Sequence, residues 1–262
     1  MAFQPESRWT QPLQGWGRSA GVDQAAIDEG LRGYMLRVYN WMASGLLLTG
    51  IVAFLIAHNP AVAELFYTTV RTPRGLATAP TILGWIVMFA PLAFILVLSF
   101  GINRMSKTTA QAMFWLFAAV MGASMSNIFV IYTKSSIAST FFVCATMFAA
   151  MSLIGYTTKR DLTKMGSFML MGLIGIILAS LVNIFLASPA MAFVISVLGV
   201  VIFCGLTAWD TQRIKNDYIE FAYAEGTEEA GKRSVMDALA LYLNFINLFQ
   251  FLLQFMGARN QD

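Results

Sequence analysis

Chemistry-bearing side chains are scarce in this chain. Its 262 residues hold one histidine and two cysteines, and only 12% are Asp, Glu, Lys or Arg. A lone histidine, His58, excludes a multi-histidine metal site, and its place at the end of the first apolar run reads as an interfacial cap. Cys144 and Cys204 both lie inside apolar runs, where a free thiol behaves as a small hydrophobe. Neither a disulfide framework nor a zinc spacing follows from them. The chain lacks H-E-x-x-H, a P-loop and a dinucleotide fingerprint. No nucleophile–base pair is readable, because the single histidine stands away from the acidic residues singled out below, so neither an enzyme nor a tightly bound cofactor is expected. The formal charge of +3 is spread over many loops, so no basic patch points to nucleic acid. A repeat of fixed period is also missing, which argues against a solenoid or an obvious inverted-repeat transporter.

Apolar residues, in contrast, make up 58% of the chain, with 13% aromatic, the composition of a membrane protein. Residues 1–33 are polar, contain Arg8, Arg18 and Arg32, and lack the apolar core of a secretory signal, so they are expected to remain as a cytoplasmic tail ahead of a transmembrane domain, 34–262. A helix needs about 20 residues to cross the hydrocarbon core. Seven runs qualify: Met35 to Ala57, Pro80 to Ile102, Ala110 to Tyr132, Ile137 to Tyr156, Met165 to Ala187, Ala190 to Asp210 and Val235 to Gly257. They are continuously apolar, whereas the strands of a membrane barrel alternate, so the expected fold is all-α, a seven-helix bundle in the lipid bilayer.

Orientation follows from the basic residues between the runs. Arg8, Arg18, Arg32, Arg104, Lys107, Lys159, Arg160, Lys164, Arg213, Lys215, Lys232 and Arg233 fall on one side, and Arg71, Arg74, Lys134 and Arg259 on the other. This bias puts the amino terminus in the cytoplasm and the carboxyl terminus outside. Two connections are long, Asn59 to Ala79 and Thr211 to Ser234; the second opens T-Q-R-I-K-N-D-Y, which reads as a short amphipathic continuation of the sixth run before an acidic loop, Glu225 to Glu229.

Asp210 ends the sixth run, in G-L-T-A-W-D-T-Q. A carboxylate at the edge of a hydrocarbon span is costly enough to mark a functional site with a partner nearby. Thr207, three residues earlier, stands on the same face and is a candidate donor to it. Asp237 falls in the first turn of the seventh run as bounded above, where the helix dipole alone would favour an acid. Asn244 lies seven residues on and nearly in line with it, and Asn247 and Gln254 complete a polar stripe that should face protein or water. The amides read equally as hydrogen-bonding glue between helices. Arg104 is the candidate countercharge, and Arg37 reads as a side chain snorkelling to the headgroups.

G-L-T-A-W-D-T-Q, the charged loop after it, and A-L-A-L-Y-L-N-F-I-N-L-F resemble the signature of the Bax inhibitor family, and L-R-G-Y-M-L-R-V-Y-N-W-M-A-S-G-L-L-L-T-G resembles the first helix of its bacterial members. The resemblance implies seven helices with the last one central, a bacterial inner membrane, and a pH-sensitive calcium leak. In the family two aspartates on the sixth and seventh helices share a proton and gate the cytoplasmic exit. The first matches Asp210, which makes it a candidate calcium ligand. The second falls in L-Y-L-D-F, where this chain has Asn244. An amide can donate to the carboxylate and lacks the repulsion of two acids, which would weaken pH gating. Two readings stay open. Asp210, Asn244 and Asp237 together line a cation path, or conduction is lost and the protein acts on other membrane proteins, such as the membrane-bound ATP-dependent protease linked to some bacterial relatives.

Overall fold

A computed structural model describes residues 19–72, 75–101, 105–221 and 227–260. The chain is an all-α polytopic membrane protein built from long helices: α1 (Ser19–His58), α3 (Ile82–Gly101), α4 (Lys107–Ser124), α6 (Lys134–Thr157), α7 (Thr163–Leu186), α8 (Pro189–Phe221) and α9 (Thr227–Met256). Two short helices, α2 (Pro60–Phe66) and α5 (Ile128–Ile131), and two strands, β1 (Tyr67–Thr72) and β2 (Gly75–Pro80), fill the connections. Six helical stretches are long and apolar enough to cross a membrane, with α4 and α5 counted together; the apolar part of α3, Ile82–Leu98, is shorter.

The helix ends follow local chemistry. Ser106 and Thr133 cap α4 and α6 by accepting from the amides of Thr109 and Ser136, which satisfies N–H groups that a helix start leaves orphaned. Before α7, Asp161 accepts from the Thr163 hydroxyl at 2.6 Å and its amide at 2.9 Å, and these bonds hold its carboxyl below the usual carboxylate range. The other end of α7 stops at Ala187, which takes the left-handed conformation (φ 47°) and donates to the Asn183 carbonyl.

α9 is the centre. It packs against α8, α1, α6 and α4, and Leu241, Tyr242, Leu248 and Leu253 on it are fully buried. Tyr242 hydrogen-bonds Thr49 of α1 at 2.7 Å, and Thr49 lies 2.9 Å from the Ala118 carbonyl of α4, so three helices meet through one hydroxyl pair. The far end of α9 is tied down too: Thr133 donates to the Ala258 carbonyl and Ala258 to Ser136.

Four sequence-based readings are refined or corrected. The third run breaks at Met125 to Asn127, because the Ser124 and Ser126 hydroxyls donate back to the Met121 and Ala123 carbonyls and compete with the helix ladder. The Asn59 to Ala79 connection holds an antiparallel hairpin, Tyr67 opposite Pro80 and Arg71 opposite Leu76, and Tyr67 reaches Ser126 at 2.8 Å. α8 does not end at Asp210 but runs on to Phe221, so the short continuation is a full extension. α9 begins at Thr227, so Glu229 belongs to a helix, where it pairs with Lys232 at 2.6 Å. Asp237 therefore lies almost three turns inside α9, not in its first turn, and the helix dipole no longer accounts for it.

Candidate functional site

The motif around Asp210 places each side chain on a different neighbour. Gly205 lets the Met169 side chain of α7 pack against the α8 backbone, and Trp209 lies against Gly166, where any Cβ would overlap the indole. Thr211 meets Ser152 of α6 at 3.1 Å, and Ser152 meets Tyr39 of α1 at 2.5 Å. Gln212 clamps the α6–α7 link, donating to the Arg160 carbonyl and accepting from the Leu162 amide, both at 2.7 Å. One turn on, Lys215 donates to the Tyr156 carbonyl at 2.9 Å. α8 is thereby locked to α6 and α7 on both sides of Asp210.

Asp210 itself is buried and has two partners. Asn244 of α9 donates through Nδ2 to its Oδ2 at 2.7 Å, and Arg213 places Nη2 2.9 Å from its Oδ1. Arg213 also lies over the Trp209 ring, 5.6 Å from its centre. The carboxylate is thus held by a neutral donor across a helix interface and a cation from its own helix, the two kinds of partner that stabilise its charged form. Sequence reasoning did not single out Arg213 as the countercharge, although the D-T-Q-R spacing puts it three residues along the helix. Arg104 lies outside the described residues.

Asp210, Asn244 and Asn247 line one cleft of about 580 Å³ between α7 and α9, floored by α8 and otherwise mostly apolar. Two expected members are elsewhere. Thr207 donates to the Phe203 carbonyl of its own helix at 2.7 Å instead of to Asp210. Asp237 is buried against α1, where the Tyr34 hydroxyl donates to its Oδ2 at 2.6 Å; Tyr34 in turn packs on Tyr218 of α8, ring centres 4.9 Å apart. Gln254 accepts from Ser196 at 3.3 Å, so that part of the polar stripe joins α9 to α8. Removing the Tyr34 hydroxyl strips a buried acid of a donor, so Tyr34→Phe is expected to destabilise the protein by about 1–3 kcal/mol. Thermal unfolding in detergent at neutral pH would check it, and an unchanged midpoint would show that solvent satisfies Asp237 instead.

No group of three or more His, Cys, Asp or Glu that could hold a metal ion lies among the described residues. A hard cation at Asp210 would therefore draw its other oxygens from amides, carbonyls or water.

With this geometry in view, comparison with known proteins is decisive. The family described as inhibitor of apoptosis-promoting Bax1 matches residues 31–261. The chain belongs to the Bax inhibitor family. Relatives of this family member include an uncharacterized protein of Rickettsia prowazekii, 50% identical over 234 residues, covering 89% of this chain and 92% of the relative. Another, from Caulobacter vibrioides, is 45% identical over 252 residues and covers 95% and 98%. The inner membrane protein YbhL of Escherichia coli K12 is 46% identical over 230 residues, covering 88% and 93%. Asp210 and Asn244, which stand in the two motifs that carry the family resemblance, are in direct hydrogen-bond contact.

Proposed function

We propose that this Bax inhibitor family member is a multi-pass inner-membrane protein that passes cations slowly, calcium by family membership, through a path gated at Asp210. The observation that carries the reading is the buried Asp210 carboxylate at an apolar cleft, bonded across the α8–α9 interface to Asn244 and along α8 to Arg213. An acid at such a position stabilises a passing cation and, through its bond to Asn244, also ties α8 to α9. α3 serves as the seventh span, the amino terminus lies in the cytoplasm and the carboxyl terminus outside, in keeping with the basic bias of the loops. The protein has no catalytic role and needs no bound cofactor. YbhL, a relative by sequence, is described as an inner membrane protein, which supports the same membrane here.

Calcium influx into calcium-free vesicles tests the proposal. Asp210→Asn removes the charge and unbalances Arg213, and influx is expected to change several-fold; equal influx in the two proteins would sink the gate. A second reading is favoured by one observation, that the charge of Asp210 is already balanced by Arg213. On that reading the protein does not conduct and modulates other membrane proteins, such as a membrane-bound protease. Influx matching empty vesicles at both about pH 6 and about pH 8 would select it, and capture by the full chain but not by one lacking residues 1–33 would locate the contact.

A further inference from the structure

α1 and α6 flank α9 without packing along each other, and between them lies a groove of about 1140 Å³, larger than the cleft at Asp210. Phe245 of α9 contributes to its lining, and small residues open its walls: Ala43 and Gly50 on α1, Ala145 and Ala149 on α6. A Cβ on Gly50 would meet nothing within 4 Å. The two walls touch near one end through Tyr39 and Ser152, whose hydroxyls satisfy each other. Nothing in the Asp210 site uses this space.

The dimensions match a bilayer. On α1 the apolar lining runs from Met35 to Leu55, which at 1.5 Å per residue is about 30 Å, the thickness of the hydrocarbon core. Arg32, the next lining residue on α1, then falls just outside the core, at headgroup depth. Tyr156 lines the same end from α6, as aromatic residues do at a membrane interface. Lys159 and Arg160, just past Thr157 and Thr158, are exposed. Asp28 and Glu29 stand about one turn beyond Arg32, farther from the apolar lining. Among the described residues no ion pair engages Arg32.

We infer that the α1–α6 groove is a binding site for a membrane phospholipid, with an acyl chain along Ala43, Gly50 and Ala145 and the headgroup phosphate on Arg32. An exposed arginine at headgroup depth offers the phosphate a charge-assisted contact, which an apolar groove alone cannot give. A second copy of the chain would have to insert a helix into a slot already narrowed by the Tyr39–Ser152 bridge, whereas a single acyl chain fits beside it.

The test uses the full chain in a phosphate-free maltoside detergent, titrated with a phospholipid carrying a photoreactive acyl chain and with the matching diacylglycerol, which lacks the phosphate. Mass spectrometry maps the labelled residues. The phospholipid is expected to label α1 and α6 groove residues, and Arg32→Gln to weaken it about fivefold, the weight of one cation near lipid headgroups. Arg32→Lys is expected to retain most of the binding, and diacylglycerol labelling to be the same with or without the arginine. Gly50→Phe, which meets open space and should leave the unfolding midpoint unchanged, is expected to block both probes. Equal phospholipid labelling in the native and Arg32→Gln proteins would overturn the phosphate contact, and labelling that survives Gly50→Phe would overturn the groove. A groove that crosslinks to a second copy of the chain in place of the probe would overturn the lipid as its occupant.

Discussion

Asn244→Asp is expected to give the protein a steep loss of stability as pH rises through the range of about 5 to 8. In the native chain Asn244 donates to Asp210 at 2.7 Å; the variant replaces that donor with a second carboxyl at the same separation. At low pH one proton shared between the two acids restores the hydrogen bond, and the variant should unfold close to the native midpoint. As pH rises the proton leaves and two negative charges face each other, at a cost of about 4 kcal/mol for charge centres about 4 Å apart in an effective dielectric near 20. Arg213 on the other oxygen of Asp210 offsets part of this. The sign follows from linkage: the folded variant binds a proton that the unfolded chain releases, so stability is present at low pH and lost as pH increases. Unfolding midpoints measured across this range for the two proteins would diverge towards high pH. Parallel curves would mean that Asp210 and residue 244 separate in the membrane. If the protein also conducts, influx through the variant should acquire the same pH dependence.

Gly155→Val should be the most disruptive single substitution in the bundle. A Cβ at Gly155 falls onto the Ala208 carbonyl of α8 and lies 3.0 Å from the Ala208 Cα. Backbone meets backbone here, so no side chain can swing aside, and α6 would have to move bodily off α8. Overpacking usually costs about 1–3 kcal/mol and sometimes more, and a rigid contact belongs at the upper end. At about 2–4 °C per kcal/mol for a chain of this size, a drop of roughly 6–12 °C in the unfolding midpoint is expected. Ala208 is two residues from Asp210, so the same displacement should strain the Asn244 bond. A midpoint within a degree of native would show that α6 and α8 do not cross this closely.

The membrane helices were legible because each is a continuous apolar run, a signal that tertiary contacts do not override. The contact between Asp210 and Asn244 was legible only through the family motif; periodicity put Asn244 on a polar stripe but could not choose its partner. Arg213 was counted only among the basic residues of one membrane side, because it lies past the point where hydropathy falls, although the stretch that holds it reads as a short helical continuation. α8 continues because nothing in T-Q-R-I-K-N-D-Y breaks a helix. The early start of α9 was hidden in the same way, since Glu, Ala, Lys and Arg are good helix formers whatever their polarity. Asp237 was read on too short a helix, and its contact with Tyr34, some 200 residues away in sequence, left no local trace. The hairpin after α2 is rich in Thr, a strand-like composition, but so short a stretch in a long connection reads equally well as loop.

The burial of α9 also constrains how the bundle can be assembled. Its apolar window has a mean hydropathy of 1.5 and is 56% buried, whereas that of α7 reaches 2.5 and is 6% buried. A helix carrying Asp237, Asn244, Asn247, Gln250 and Gln254 is a poor candidate to enter lipid by itself, since a single Asp at the centre of a span costs about 3 kcal/mol on insertion scales. α7, nearly bare to lipid, can insert independently. α9 follows the other helices in the chain, and it reaches its place when α1, α4, α6 and α8 already offer the hydroxyls, carboxylate and aromatic faces that replace water around it. Insertion and folding are then one event for this helix, and damage to its neighbours should leave it outside the membrane rather than misfolded within it.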